Sequence, residues 1–290
     1  MNLSRILSVI LICALNLFQT SAQEKRALVI GIGDYPDECG WGRIHGNNDV
    51  GLIHDMLIKL EFPERNISTL VDSDASYENI LKEMQTLLDA SKKNDIVYIH
   101  FSGHGQRITD LDGDETEDGL DEAWIPYDAY PVYIAGVYEG GKHITDDFLN
   151  SYLNRLRDKI GAEGKIIVIA DACHSGSGSR GLDDDVFIRG SSDYFDIPNV
   201  FPVTMENKVA VDWLFVAACE DYQVNYEYRD EAGVYYGSLS YTIAKSSDVI
   251  GNILFTSAIE MWRQIMNNIK RYPQTIVTDG RPSMMSNYLF

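Results

Sequence analysis

Cys173 stands in "DACHSGS" (171–177), directly after the apolar run "KIIVIA". His104 stands in "HFSGHG" (100–105), after the apolar stretch "IVYI". A thiolate attacks a carbonyl carbon, and an imidazole can take its proton and return it to a leaving amine. Gly103 and Gly105 leave the backbone around His104 open to a substrate, and Ser175 to Gly178 do the same after the cysteine. The Gly105 and Cys173 N–H groups can both point at an oxygen that gains charge during attack, forming an oxyanion hole. His174 also neighbours the cysteine, but on the same short turn, which aims it elsewhere. Asp171, two residues before Cys173, shares its face by strand alternation and can shape the space beside the nucleophile.

Such a dyad needs rigid elements to hold it. Short apolar runs without alternation, at 26–33, 66–72, 95–105, 165–173 and 212–219, read as strands covered on both faces. Helical spacing of apolar residues fills the intervals: Asn48 to Leu60, Ser76 to Ser91 with Ser76 as cap, Thr145 to Lys159, then about 238–246 and 256–270. The stretches 106–143 and 174–208 lack periodicity and read as long polar loops. Alternating strands and helices predict an α/β fold with a mostly parallel central sheet. Open sheets of this kind bind ligands beyond the carboxyl ends of their strands, where His104 and Cys173 both fall.

Composition narrows the function. The chain has 290 residues and a formal net charge of −20. Such a balance argues against nucleic acid, whose phosphates require a basic footprint, and favours cations or basic peptides as partners. Residues 1–22 carry one Arg, an apolar run from Ile6 to Phe18 and a small-residue end at Ala22, the pattern of an export signal. The expectation is a single domain over 23–290, periplasmic or extracellular and free of the membrane once the signal is removed. The remaining cysteines, Cys39, Cys173 and Cys219, are odd in number, which flags a free thiol. Cys39 and Cys219 can in principle pair; Cys219 otherwise reads as packing, as do His45, His54, His100 and His143. Tyr127, Tyr130, Tyr133 and Tyr138 read as packing or as the lining of a groove.

"ALVIGIGDYP", "HFSGHG", "DGDETEDGLDEAWIPYD", "ITDDFL" and "IVIADACHSGSGS", in that order, resemble the metacaspases, members of the caspase-like clan of cysteine peptidases. "AACEDYQVNYE" and "YPQTIVTDGRP" are weaker echoes. The resemblance implies a caspase-like sandwich, a parallel sheet with helices on both faces. It implies that Cys173 is the nucleophile, His104 the base, and Asp49 and Asp171 the carboxylates of a pocket for substrate Arg or Lys. Charge-assisted hydrogen bonds, bidentate for Arg, suit that role. The family's pocket cysteine is replaced here by Gly46. The resemblance also implies calcium as an activator, with Asp146 and Asp147 as ligands and Asp118 as a contributor. "DLDGDETEDGLDE" is not an EF-hand, because Glu115 stands where the turn needs Gly. Asp183 to Asp185 form a weaker cation candidate. Relatives cut themselves near the active site, which nominates Arg180 and Arg189. A monomer is implied as well. Three other readings stay open: a catalytically silent binding module, a clostripain- or gingipain-like peptidase, and a small-amide hydrolase using the same dyad.

Overall fold

The computed structural model describes residues 23–113, 115, 118–173, 185–198, 212–280 and 287–290. The expected export signal, His174, Arg180, Asp183 and Asp184 lie outside the described residues. At the centre are four parallel strands whose residues are almost all buried. These are β1 (Lys25–Gly31), β3 (Ile96–Ser102), β7 (Lys165–Asp171) and β8 (Leu214–Ala217). The third and fourth labels follow chain order, which also includes β2 (Ile67–Val71), β4 (Gly105–Thr109), β5 (Leu120–Trp124) and β6 (Ile144–Thr145). Later come β9 (Glu227–Arg229), β10 (Tyr235–Gly237) and β11 (Val277–Asp279). The main sheet has the order β11-β8-β7-β3-β1-β2, and only β11 runs antiparallel.

Alternation along these strands sorts their side chains between two cores. Leu28, Ile30, Val97, Ile99, Ile166 and Val168 face helices α2 (Tyr77–Ala90) and α3 (Asp146–Ile160). Val29, Tyr98, Ile167 and Ile169 face α1 (Gly46–Lys59), α4 (Ser238–Lys245) and α6 (Phe255–Ile269), with the short α5 (Ser247–Ile250) beside them. The result is the α/β layering expected from the sequence, with helices on both faces. Ser76 and Thr145 cap α2 and α3 through their side-chain oxygens, which accept from Asn79 N–H and Phe148 N–H. Among the described residues no helix is long and apolar enough to cross a membrane.

The "loop" at 106–143 is in part a small antiparallel sheet, β4-β5-β6. It begins one residue after His104 and so anchors the histidine between two sheets. A second hairpin, β9-β10, was not expected either. The register places Ser102 opposite Asp171, so the ends of β3 and β7 are level. Gly103 N–H donates to Asp171 O (3.4 Å) just beyond them.

Candidate active site

His104 emerges from β3 into a buried, aromatic seat. Its ring stacks on Trp41 (centroids 4.8 Å apart) and lies 5.0 Å from the Tyr35 ring. Tyr35 Oη accepts from His104 N–H (3.0 Å) and donates to Ile125 O (3.0 Å), locking the backbone on either side. His104 Nε2 lies 2.7 Å from Gly42 O, and the carbonyl can only accept, so Nε2 carries the proton. Nδ1 is then a free lone pair, buried and without a hydrogen-bond partner among the described residues. Burial pushes the imidazole pKa down to about 4. The resting ring is therefore neutral and able to act as a base.

Cys173 is buried, and its Sγ donates to Gln223 O (3.0 Å). A thiol that donates is protonated, in keeping with a neutral imidazole nearby. Cys219 lies against the same carbonyl at 3.7 Å and interacts with the Cys173 thiol. The hydrogen bond with the Cys173 side chain, then burial, holds the Cys219 thiol pKa well above its ordinary value. Cys219 is therefore a neighbour of Cys173 rather than remote packing. Cys39 and Cys219 do not pair: no disulfide joins Cys39, Cys173 or Cys219, and Cys39 sits under Tyr127 O (3.9 Å).

A segment of the same chain crosses this site. Arg189 O accepts from Cys173 N–H (2.8 Å) and from Gly105 N–H (3.4 Å), the two donors expected of an oxyanion hole. Arg189 N–H donates to Asn225 O (3.0 Å), and Glu227 N–H donates to Phe187 O (3.1 Å). Residues 187–189 thus run as an extended strand antiparallel to 225–227. At Gly190 any Cβ would overlap the Cys173 carbonyl. Only glycine lets the chain pass this close to the thiol's backbone.

The Arg189 side chain is fully buried in a pocket of acids. Nη1 donates to Asp49 Oδ2 (2.8 Å) and to Ser102 Oγ, which itself donates to Asp49. Asp171 stands further off, with Oδ1 3.8 Å from Nη1. Its own oxygens are taken by Asn225 Nδ2 (2.8 Å), Ser240 N–H (2.7 Å) and Ser240 Oγ (2.7 Å). Burial would raise Asp171, but Arg189 and these donors outweigh it and hold the carboxyl below its usual range. Burial lifts Asp49 to about 6, against the pull of Arg189. Glu227 closes the other side, with Oε1 2.9 Å from Nη2 and 3.1 Å from Nε.

Gly237 N–H donates to Asp49 (3.0 Å), and a side chain there would strike both Asp171 and the guanidinium. Gly46 is equally constrained: a Cβ would collide with the carbonyls of Ser102 and Ile32, so α1 can start against β3 only with glycine. Residue types and spacing assign none of Ser102, Gln223, Asn225, Glu227 and Gly237 to this site, although "HFSGHG" contains Ser102 and "AACEDYQVNYE" contains Gln223, Asn225 and Glu227.

The acidic residues read as cation ligands lie elsewhere, at the junction of β5 and α3. Asp146 accepts from Glu122 N–H (3.3 Å), and Asp121 Oδ1 is buried without a partner. Burial, then the neighbouring carboxylates, raise Asp121 to about 8 and Asp146 to about 7. Asp118 instead pairs with Arg107 (3.2 Å), and Asp185 with Arg271 (3.5 Å). Among the described residues no three such side chains converge on one point. Tyr138 packs against Tyr130, Tyr133 against Phe195, and Tyr127 against the core, which leaves these tyrosines as packing.

The caspase domain model matches residues 24–279. This chain belongs to the caspase-domain family of cysteine peptidases. It is 33% identical to Metacaspase-7 of Arabidopsis thaliana over 159 residues, and 31% identical to Metacaspase-1 of Pyricularia oryzae over 162. The matches cover 52% and 53% of this chain but only 35% and 37% of those proteins. Among solved structures, the caspase fold here is similar to protein GSU0716 from Geobacter sulfurreducens, with TM-score 0.62 and 19% identity. That match covers 92% of this chain and 98% of the other.

Proposed function

We propose that the protein is a cysteine endopeptidase that cleaves after arginine or lysine. The observation that carries this reading is Arg189, whose side chain fills the acidic pocket while its carbonyl accepts from Cys173 and Gly105 N–H. A substrate arginine before its cleaved bond needs the same two contacts. Caspase-type recognition of aspartate would need basic residues where Asp49, Asp171 and Glu227 stand.

The chemistry follows from the donors. The Cys173 thiol turns from Gln223 O, passes its proton to His104 Nδ1 and attacks the carbonyl carbon of the residue in the pocket. The carbonyl π electrons move onto oxygen, which the two N–H groups hold. As the oxyanion collapses, the C–N bond breaks and Nδ1–H protonates the departing amine. The resulting thioester is hydrolysed by a water that His104 deprotonates, which frees the acid and restores the thiol. The Gly42 carbonyl keeps the ring in the tautomer that both transfers need.

The same placement makes Arg189–Gly190 a bond for self-cleavage. Arg180, the other nominee, lies outside the described residues. Calcium enters as an activator beside Asp146 and Asp147, with Asp121 rather than Asp118 as their neighbour; its binding would have to draw these carboxylates together, since no three converge among the described residues. The buried unpartnered oxygen of Asp121 supports a cation there. No chemical step above passes through the metal. Export and a monomeric enzyme complete the reading.

Matched fluorogenic peptides ending in Arg, Lys or Asp test it, with Cys173→Ala as control. Cleavage after Arg or Lys that vanishes in the variant is expected. Cleavage after Asp, or none by any preparation, overturns it, the latter in favour of a silent binding module.

A further inference from the structure

A guanidinium is a planar fork with two edges, and an ammonium is a single point charge. The pocket around Arg189 presents a separate acceptor to each edge. Nη1 is met by Asp49, in the first turn of α1, and by Ser102, at the end of β3. Nε donates to Glu227 Oε1 (3.1 Å), from β9 on the opposite side, and Nη2 lies 2.9 Å from the same oxygen as an ion pair without hydrogen-bond geometry. A lysine in the same seat can reach the Asp49 wall with its terminal nitrogen. It has no nitrogen at the Nε position and nothing to offer Glu227 there.

We propose that Glu227 is a specificity-determining residue that makes this pocket select arginine over lysine. Its carboxylate is held for that purpose. Oε1 accepts from His45 N–H (2.7 Å), and Oε2 lies 2.6 Å from His45 Nδ1, which donates to it. His45 is in turn fixed by stacking on Tyr235, with centroids 4.9 Å apart. With an arginine in the pocket, the Glu227 side chain has no exposure to solvent, so this carboxylate is shaped to be filled by a guanidinium. A pocket built to hydrogen-bond a group rejects an analogue lacking it, because its own polar atoms are left unpaired. Burial raises the Glu227 pKa, yet Arg189 and His45 outweigh it and keep the carboxyl below its ordinary value, hence charged.

This inference rests on the reading that Arg189 occupies the substrate pocket. The test is kcat/KM for two peptides differing only in Arg or Lys before the reporter. It is measured for the wild type, Glu227→Gln, Glu227→Asp and Asp49→Asn. The ratio of the two values is independent of how much enzyme is active, so incomplete self-processing does not distort it. The expected result is a wild-type preference for Arg that falls tenfold or more in Glu227→Gln, through loss on Arg with Lys nearly unchanged. Asp49→Asn loses activity on both peptides together. Glu227→Asp, which retracts the carboxylate but keeps its charge, falls between, and supplies the ratio if the Gln variant does not fold. An Arg/Lys ratio within threefold of wild type in these Glu227 variants overturns the proposal while leaving the pocket assignment intact. A wild type that cleaves neither peptide overturns the pocket assignment itself.

Discussion

Asp49 and Asp171 are equal partners by sequence, and the structure ranks them. Asp49 accepts directly from the Arg189 guanidinium at 2.8 Å, while Asp171 Oδ1 is 3.8 Å away and occupied by other donors. At these two distances the Coulomb terms differ by less than half, since the energy falls only as the inverse of separation. The decisive difference is one charge-assisted hydrogen bond, worth about 1.5–3 kcal/mol. At about 1.4 kcal/mol per tenfold, Asp49→Asn should cost roughly 10- to 140-fold more in kcat/KM on an Arg peptide than Asp171→Asn. Asp171→Asn should show its effect in stability instead. An amide there must turn a donor toward Asn225 Nδ2 or Ser240 N–H, leaving a buried group unpaired at about 1–3 kcal/mol. The assay is kcat/KM on the Arg peptide beside thermal melts of both variants. An Asp171→Asn enzyme that melts like wild type yet loses as much activity as Asp49→Asn would refute the ranking.

Other consequences are open to measurement. Burial lifts Asp49 to about 6 and lowers His104 to about 4, so under the proposed mechanism the ionised pocket, not the base, sets the acid limb. The kcat/KM for Arg peptides should rise with pH through about 6, and Asp49→Asn should move that limb toward lower pH; an unmoved limb contradicts this. Phe187 packs edge-on against His45 (4.5 Å) and Tyr235 (4.9 Å), two residues before Arg189. Peptides with Phe two residues before Arg should outperform those with Ala by about 2- to 13-fold, from aromatic contacts of about 0.5–1.5 kcal/mol. Equal rates for the two peptides would remove the aromatic subsite. Calcium at about 100 times its Kd should raise Tm by about 5–10 °C, from a linkage of about 2.7 kcal/mol. Asp121→Asn should abolish that rise, and a wild type indifferent to calcium would end the activator reading.

The sequence carried most of the scaffold because the relevant forces are local. Ser76 and Thr145 declare their helices by capping, and "KIIVIA" declares a covered strand by its unbroken apolar run. The β4-β5 pair escaped notice because its residues include Gln106, Arg107, Asp121 and Glu122, and polarity hides a strand whose partners are not apolar. Cys173 and His104, the proposed dyad, were nominated from residue types at strand ends. Glu227 was not, because its position beside Asp49 is created by the β9-β10 hairpin folding over the start of α1, a contact without sequence periodicity. Arg189 was visible as a basic residue in a polar stretch. Its carbonyl's placement between Cys173 N–H and Gly105 N–H depends on the parallel bridge between Gly190 and Gly105, which no local pattern announces. Cys219 read as packing because nothing in the chain fixes how far β8 projects beyond β7.

The most direct measurement is the intact mass of the purified protein, set beside Cys173→Ala and Arg189→Ala. Placement of Arg189–Gly190 across the nucleophile predicts two fragments divided between these residues in the wild type, and one uncut chain in Cys173→Ala. Arg189→Ala is expected to lack that division. A wild type that stays whole under conditions where it hydrolyses Arg peptides would contradict the account, as would the same division at Arg189 in Cys173→Ala.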